Sequence, residues 1–331
     1  MIEKNYFTFL WKGQILLTII EHVKNKRTLA FIALIAIVIL WGVVPVIGKY
    51  LLENQLDSPS LLIAVRGLIA SVVMFIFILI TKVYKQFNKK YLICIPAGLI
   101  LASAYIFQFI GLDQTSASKS TFLESFSVIA TPISLFLMVR ERPKWNAIVA
   151  SLLCLVGAFI LCGDGWNFSE LLKVPSLGDI FSSIGGALFG VNIAFTQVFA
   201  KDKNPFLYVT IQLSVLTIAS FIYAFLFEHP LLFVFEPINI LLVLFLSIFC
   251  TAICWIVRAI SVKYVSGVTI AVFNPMSAVI ATIIALCIGQ ESFNFNLFVG
   301  GIIIVTSILI SSLFHKEKEP KRALKILVNQ L

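Results

Sequence analysis

Three ionisable side chains and one strong amide fall inside long apolar runs of this chain: Arg66, Glu124, Arg258 and Gln108. A charge held at membrane depth costs roughly 2.5–3.5 kcal/mol on insertion scales, so such groups face a cavity or one another. Arg66 and Glu124 form the deepest opposite pair on one side of the chain. Together they could make an ion pair that closes a gate and parts when the gate opens, or when an anionic group displaces the carboxylate. A Glu124 that carries a coupling proton is a variant of the same chemistry. Gln212, Arg258 and Asn274 recur at corresponding places further on. Between the two polar sets lie Trp41, Gly42, Tyr105, Asn192 and Trp255, which offer flat rings, close backbone approach and amide hydrogen bonds. Enzyme chemistry finds no comparable set. His22, His229 and His315 are scattered over loops and tails, and no glycine-rich phosphate loop exists. Gly163-Asp164-Gly165 lacks the other ligands of a calcium loop. No metal and no cofactor are expected.

The elements that must position these residues are membrane helices. Hydrophobic residues make up 60% of the 331 and charged residues 12%, against roughly 25% in a soluble domain. A helix needs about 20 apolar residues to cross the hydrocarbon core. On that ruler, spans fall near 29–51, 60–81, 91–112, 118–139 and 144–162, then near 178–200, 206–227, 238–262, 267–288 and 297–314. The runs are too long and too uniformly apolar for barrel strands. Residues 1–28 carry scattered lysines and read as a cytoplasmic leader or interfacial helix. The six cysteines sit in or at the ends of apolar runs and read as small core or lipid-facing residues.

The loops alternate in charge. One set holds Lys24, Lys26, Arg27, Lys82 to Lys90, Arg140, Arg142, Lys201, Lys203, Lys263 and the tail Lys316 to Lys325. The other holds Glu53, Asp57, Asp113, Asp164, Glu170, Asp179, Glu228, Glu236 and Glu291. The positive-inside rule then puts both termini in the cytoplasm. The net charge of +9 is spread between apolar blocks, so it does not mark nucleic-acid binding. Lys49 and Lys119 lie at the ends of spans on the acidic side, where lysines reach water. Pro45, Pro132 and Pro275 fall inside spans and permit kinks.

The chain also reads as one half written twice, at offsets of about 146 to 150 residues. Trp41-Gly42 matches Phe189-Gly190, Ser58-Pro59 matches Asn204-Pro205, and Thr115-Ser116-Ala117 matches Val265-Ser266-Gly267. Tyr105 and Gln108 match Trp255 and Arg258; Glu124 matches Asn274; Arg66 matches Gln212; Glu141 matches Glu291. With an odd number of spans per half, the second copy is inverted. The units are 29–162 and 178–314, with a periplasmic linker 163–177 and a basic cytoplasmic tail 315–331.

On these residues the chain resembles the EamA-type branch of the drug/metabolite transporter superfamily. The matching pieces cover nearly all of residues 29–314 and include Trp41-Gly42, Arg66, Thr115 to Lys119, Pro132 with Glu141, Asn274-Pro275 and Gly289-Gln290-Glu291. The leader is not part of the shared unit. The resemblance implies an all-α bundle of ten helices in two inverted five-helix repeats that moves small metabolites, often outward.

The expected binding residues are therefore Trp41, Gly42, Tyr105, Asn192, Trp255 and Asn274, at a midplane site. The expected gating or coupling residues are Arg66, Gln108, Glu124, Gln212 and Arg258. They would form two polar layers on either side of an aromatic centre. The expected partners are a small-molecule solute, amino-acid-like in charge, and the lipid bilayer, with a homodimer left open and nucleic acid excluded. The alternatives are a membrane-embedded enzyme on a lipid-linked substrate and a scaffold or sensor without flux. A reporter fused after Ser169 is expected to be active on the periplasmic side of the bacterial inner membrane. Cytoplasmic activity of that fusion would overturn the topology.

Overall fold

The computed structural model describes residues 26–54, 58–140, 145–162, 176–229, 236–289 and 295–313, and every regular element among them is helical. Most of the leader, the linker, the tail, Glu141 and Glu291 lie outside the described residues. In the first repeat, α1 is Lys26–Asn54, α2 is Pro59–Ile80 and α3 is Cys94–Asp113. The fourth span is α4 (Ala117–Leu123) and α5 (Ser127–Val139), joined by a 3₁₀ turn at Glu124–Phe126. The fifth is α6, Trp145–Cys162. In the second repeat, α7 is Leu177–Phe199 and α8 is Pro205–Tyr223. The eighth span runs from α9 (Pro237–Phe245) through a π-helical stretch, Leu246–Ile253, into α10 (Cys254–Ser261). The ninth is α11 (Gly267–Phe273) and α12 (Met276–Cys287), and the tenth is α13, Phe295–Leu313. Eight of these rods are long and apolar enough to cross a membrane by length and composition. The other two, α6 and α13, pack against each other.

Several motifs of the sequence repeat are helix starts. Ser58 accepts the Leu61 N–H at 3.1 Å ahead of Pro59, and Asn204 accepts the Phe206 N–H at 3.0 Å ahead of Pro205. Proline suits the first helical turn because its missing N–H has no partner there in any case. Ser116 and Ser266 likewise cap α4 and α11, accepting from Lys119 and Thr269. In a bilayer these caps satisfy donors that would otherwise be stranded.

Two spans read as continuous are interrupted, and at equivalent points. The fourth breaks at Glu124 and the ninth at Asn274-Pro275. Pro275 has no N–H to continue the helical ladder. Pro45 and Pro132, by contrast, lie within helices that run on past them.

Each repeat is completed by the other. Gly42 of α1 lies against α12, where an added Cβ would come within 2.6 Å of Ile280 and 3.0 Å of the Ser277 carbonyl. Gly190 of α7 lies against α5, where a Cβ would come within 2.7 Å of Ala130 and of the Ser127 carbonyl. Ser127 and Ala130 are the repeat counterparts of Ser277 and Ile280, so the same small-residue crossing occurs twice. Small residues bring helix backbones close in lipid, where no hydrophobic effect drives helices together. The outside of the bundle is apolar, with Phe75, Ile76, Leu137 and Leu241 at least half exposed for lipid to cover.

Gly42→Val and Gly190→Val should each destabilise the detergent-solubilised protein by about 1–3 kcal/mol through overpacking. Gly301→Ala, where the nearest atom to a new Cβ is 3.7 Å away, should not. Thermal melting of the three variants checks this; equal melting temperatures would reject the paired crossings.

Candidate functional site: a cavity on the repeat axis

One cavity of about 40 Å³ is lined by Trp41, Val44, Pro45, Tyr105, Gln108, Glu124, Phe189, Trp255, Arg258, Asn274 and Ser277. Eight of these eleven form four repeat-related pairs: Trp41 with Phe189, Tyr105 with Trp255, Gln108 with Arg258, and Glu124 with Asn274. A cavity lined by both members of each pair lies on the axis that relates the repeats. The rings make a chain that reads the same from either end. Trp41 stands 5.9 Å from Trp255, Trp255 6.1 Å from Tyr105, and Tyr105 5.0 Å from Phe189. At its centre, where the axis passes, the Trp255 indole donates to the Tyr105 hydroxyl at 3.1 Å.

The helix breaks deliver the polar groups. Glu124 and Asn274 stand at the interruptions of the fourth and ninth spans. Broken membrane helices of this kind line binding sites because their backbone is tolerated only beside protein or water. Gln108 is 5% exposed and its Oε1 has no hydrogen-bond partner among the described residues. A buried acceptor left open in this way is costly, so a donor on a bound molecule would stabilise it.

Arg258 faces the cavity from α10. Its guanidinium lies 4.1 Å from the Trp255 ring centroid. One nitrogen donates to Asn192 Oδ1 at 2.5 Å and reaches Thr196 Oγ1 at 3.5 Å. No carboxylate pairs with it among the described residues. A cation stacked on an aromatic face and held by neutral acceptors is stabilised in place without being neutralised.

The residues singled out from sequence fall into two groups. Trp41, Tyr105, Gln108, Glu124, Trp255, Arg258 and Asn274 come together at the cavity. Members of both expected polar sets, Gln108 and Glu124 on one side and Arg258 and Asn274 on the other, line this one cavity. Gly42 lies beneath Ile280 at the helix crossing instead of at the cavity wall. Asn192 is fully buried, and it orients Arg258 while donating to the Ala97 carbonyl at 2.9 Å. Gln212 donates to the same carbonyl at 3.4 Å.

Arg66 and Glu124 form no ion pair in this conformation. Arg66 instead donates to Thr251 in the π-helical stretch at 3.0 Å and lies over the Tyr105 and Phe109 rings, at 5.7 and 5.4 Å. In the same stretch the Cys250 carbonyl accepts from the Trp41 indole at 3.1 Å. Lys49 and Lys119 do more than reach water: Lys49 donates to the Leu112 and Asp113 carbonyls, and Lys119 pairs with Asp179. Phe189, Val44, Pro45 and Ser277 are wall residues absent from the sequence-based set. The repeat itself could have found one of them, since Phe189 mirrors Trp41.

Two inverted helix bundles around a polar and aromatic cavity on their shared axis are the build of a membrane transporter. The chain belongs to the EamA-like transporter family, whose model matches it twice, over residues 28–163 and 176–313. It is 25% identical over 289 residues to an uncharacterized transporter of Archaeoglobus fulgidus, covering 87% of each chain. It is 29% identical over 126 residues to an uncharacterized solute carrier family 35 member of Schizosaccharomyces pombe, covering 37% of this chain and 25% of that one. A solved crystal structure shares the fold with a TM-score of 0.67 at 17% identity, over 86% of this chain and 97% of the other.

Asn192→Ala removes the shortest bond to a buried cation and should cost about 1.5–3 kcal/mol of stability. Thermal unfolding in detergent measures it, and an unchanged midpoint would show that Arg258 does not depend on Asn192.

Proposed function

We propose that this protein is a secondary transporter that carries a small zwitterionic, amino-acid-like metabolite across the cytoplasmic membrane of a bacterium, outward, by alternating access. The observation that carries this reading is the unequal chemistry of the cavity's matched pairs. Gln108 and Glu124 in one repeat offer acceptors; Arg258 and Asn274 in the other offer a cation and an amide. An ammonium group suits the first two, and a carboxylate suits Arg258, which has no acid of its own. The aromatic chain between them suits an apolar or planar side group. Glu124 serves as the coupling group and exchanges a proton or the substrate amine. The outward direction rests on the resemblance to exporters of the superfamily. The periplasmic acidic loops and cytoplasmic termini rest on the charge alternation. The family's transport activity favours carriage of an intact solute over catalysis.

Flux in proteoliposomes tests the reading. Vesicles loaded with a mixture of zwitterionic amino acids should exchange external label, and Arg258→Met should slow exchange about 10- to 100-fold, the effect of one charged hydrogen bond. Glu124→Gln should flatten the pH dependence of flux. Unchanged flux and an unchanged pH profile in Glu124→Gln would reject its coupling role. Product formation from a lipid-linked substrate without flux would favour an enzyme, and neither activity would favour a scaffold.

A further inference from the structure

The two seams that flank the cavity are related by the repeat but are closed by different chemistry. On the acidic-loop face, α4 meets the start of α7. Lys119 Nζ donates to Asp179 Oδ2 at 2.8 Å, and the Thr115 hydroxyl lies 3.4 Å from the other carboxylate oxygen. Asp179 is only 7% exposed and also accepts the Ser176 N–H at 3.0 Å, so its position is set by its own helix cap. Just below, the Ser120 and Ser182 hydroxyls lie 3.1 Å apart. One turn deeper, Gly186 packs on the backbone of Leu123 and Glu124, at the cavity wall. The polar contacts thus form a continuous seam from the loop down to Glu124.

The repeat places Thr269, Phe31, Ile270 and Leu34 at the positions of Lys119, Asp179, Ser120 and Ser182. None of these can form an ion pair. There, α1 and α11 meet through the Phe31 and Phe273 rings, 5.8 Å apart, and through Leu34, which is 1% exposed. At these matched positions one face of the bundle holds a charge pair and hydroxyls, the other apolar side chains.

We propose that Lys119–Asp179 is the latch of a gate on the acidic-loop face, which must break before the cavity opens to that side. This rests on the alternating-access reading. The matched positions on the opposite face pack through apolar side chains, with the Arg27 guanidinium 5.6 Å from the Phe31 ring. In a symmetric carrier the two closed states would balance. Here the state closed on the acidic-loop face holds an ion pair that the repeat-matched positions, Thr269 and Phe31, cannot form, so the pair biases the carrier toward opening on the basic-loop face.

The test reads cavity access and needs no substrate. Val44→Cys, at the cavity wall, is placed in the full-length chain with its native cysteines replaced, in membrane vesicles of both orientations. Labelling with a membrane-impermeant maleimide is followed from each side. Lys119→Met should speed labelling from the acidic-loop face about fivefold, the reach of a partly exposed ion pair, without speeding it from the other face. Lys119→Arg should keep labelling slow. Asp179→Asn should act like Lys119→Met while also weakening the helix cap. The proposal is overturned if Lys119→Met labels like the parent, if both faces accelerate alike, or if only Asp179→Asn has an effect. That last result would leave the aspartate a cap and nothing more. Size-exclusion profiles and melting curves identify a variant that misfolds, and for a misfolded Lys119→Met the Lys119→Gln variant takes its place with the same outcomes. Loss of solute flux with intact one-sided labelling would sink the transport reading and leave the gate standing.

Discussion

Two glycine crossings hold the rest of the molecule in place: Gly42 against Ser277 and Ile280, and Gly190 against Ser127 and Ala130. Each joins a helix of one repeat to a helix of the other. Lipid is as apolar as the helix surfaces, so only close packing and hydrogen bonds bind the repeats. Because the crossings are equivalents, they set a two-fold axis, and the cavity must lie along it. The rings of Trp41, Trp255, Tyr105 and Phe189 then fall into an order that the axis maps onto itself.

Symmetry of the frame makes the asymmetry of the side chains informative. At one matched pair the chain places Gln108 and Arg258, at the next Glu124 and Asn274. An acidic group and a cation therefore face the cavity from opposite repeats. Arg258 is held by Asn192 and Trp255 without losing its charge, which preserves its capacity for an anionic group. The same contrast recurs beside the cavity, where Lys119 and Asp179 on one face answer to Thr269 and Phe31 on the other. An inverted duplication yields equal halves, and substitutions in one half then make the two chemically unequal.

Much of this was legible in the chain. Run lengths and loop charges point to ten apolar helices, and the offset of about 150 residues links the halves. Seven of the eleven expected site residues converge at the cavity, because the repeat marks matched positions and a bilayer forces polar groups inward. The failures have physical causes. Arg66 and Glu124 lie at similar depth, but depth says nothing of azimuth, and the π-helical stretch draws Arg66 to Thr251 instead. Gly42 was read as a substrate contact when its missing side chain serves a helix crossing. Asn192 supports Arg258 from behind, a role visible only once both side chains are placed.

By itself the sequence determined the helical class, the span lengths and the twofold repeat, because each follows from local hydropathy and from self-similarity along the chain. It also determined the caps at Ser58, Ser116, Asn204 and Ser266, which depend on neighbours a few residues away. Only the tertiary structure decided that the helix breaks at Glu124 and Asn274 face one space, that Trp255 meets Tyr105 on the axis, and that Lys119 finds Asp179 across 60 residues. Those outcomes depend on how far each helix is rotated about its own axis. Side-chain packing between the repeats sets that rotation, and hydropathy along a uniformly apolar helix carries almost no information about it.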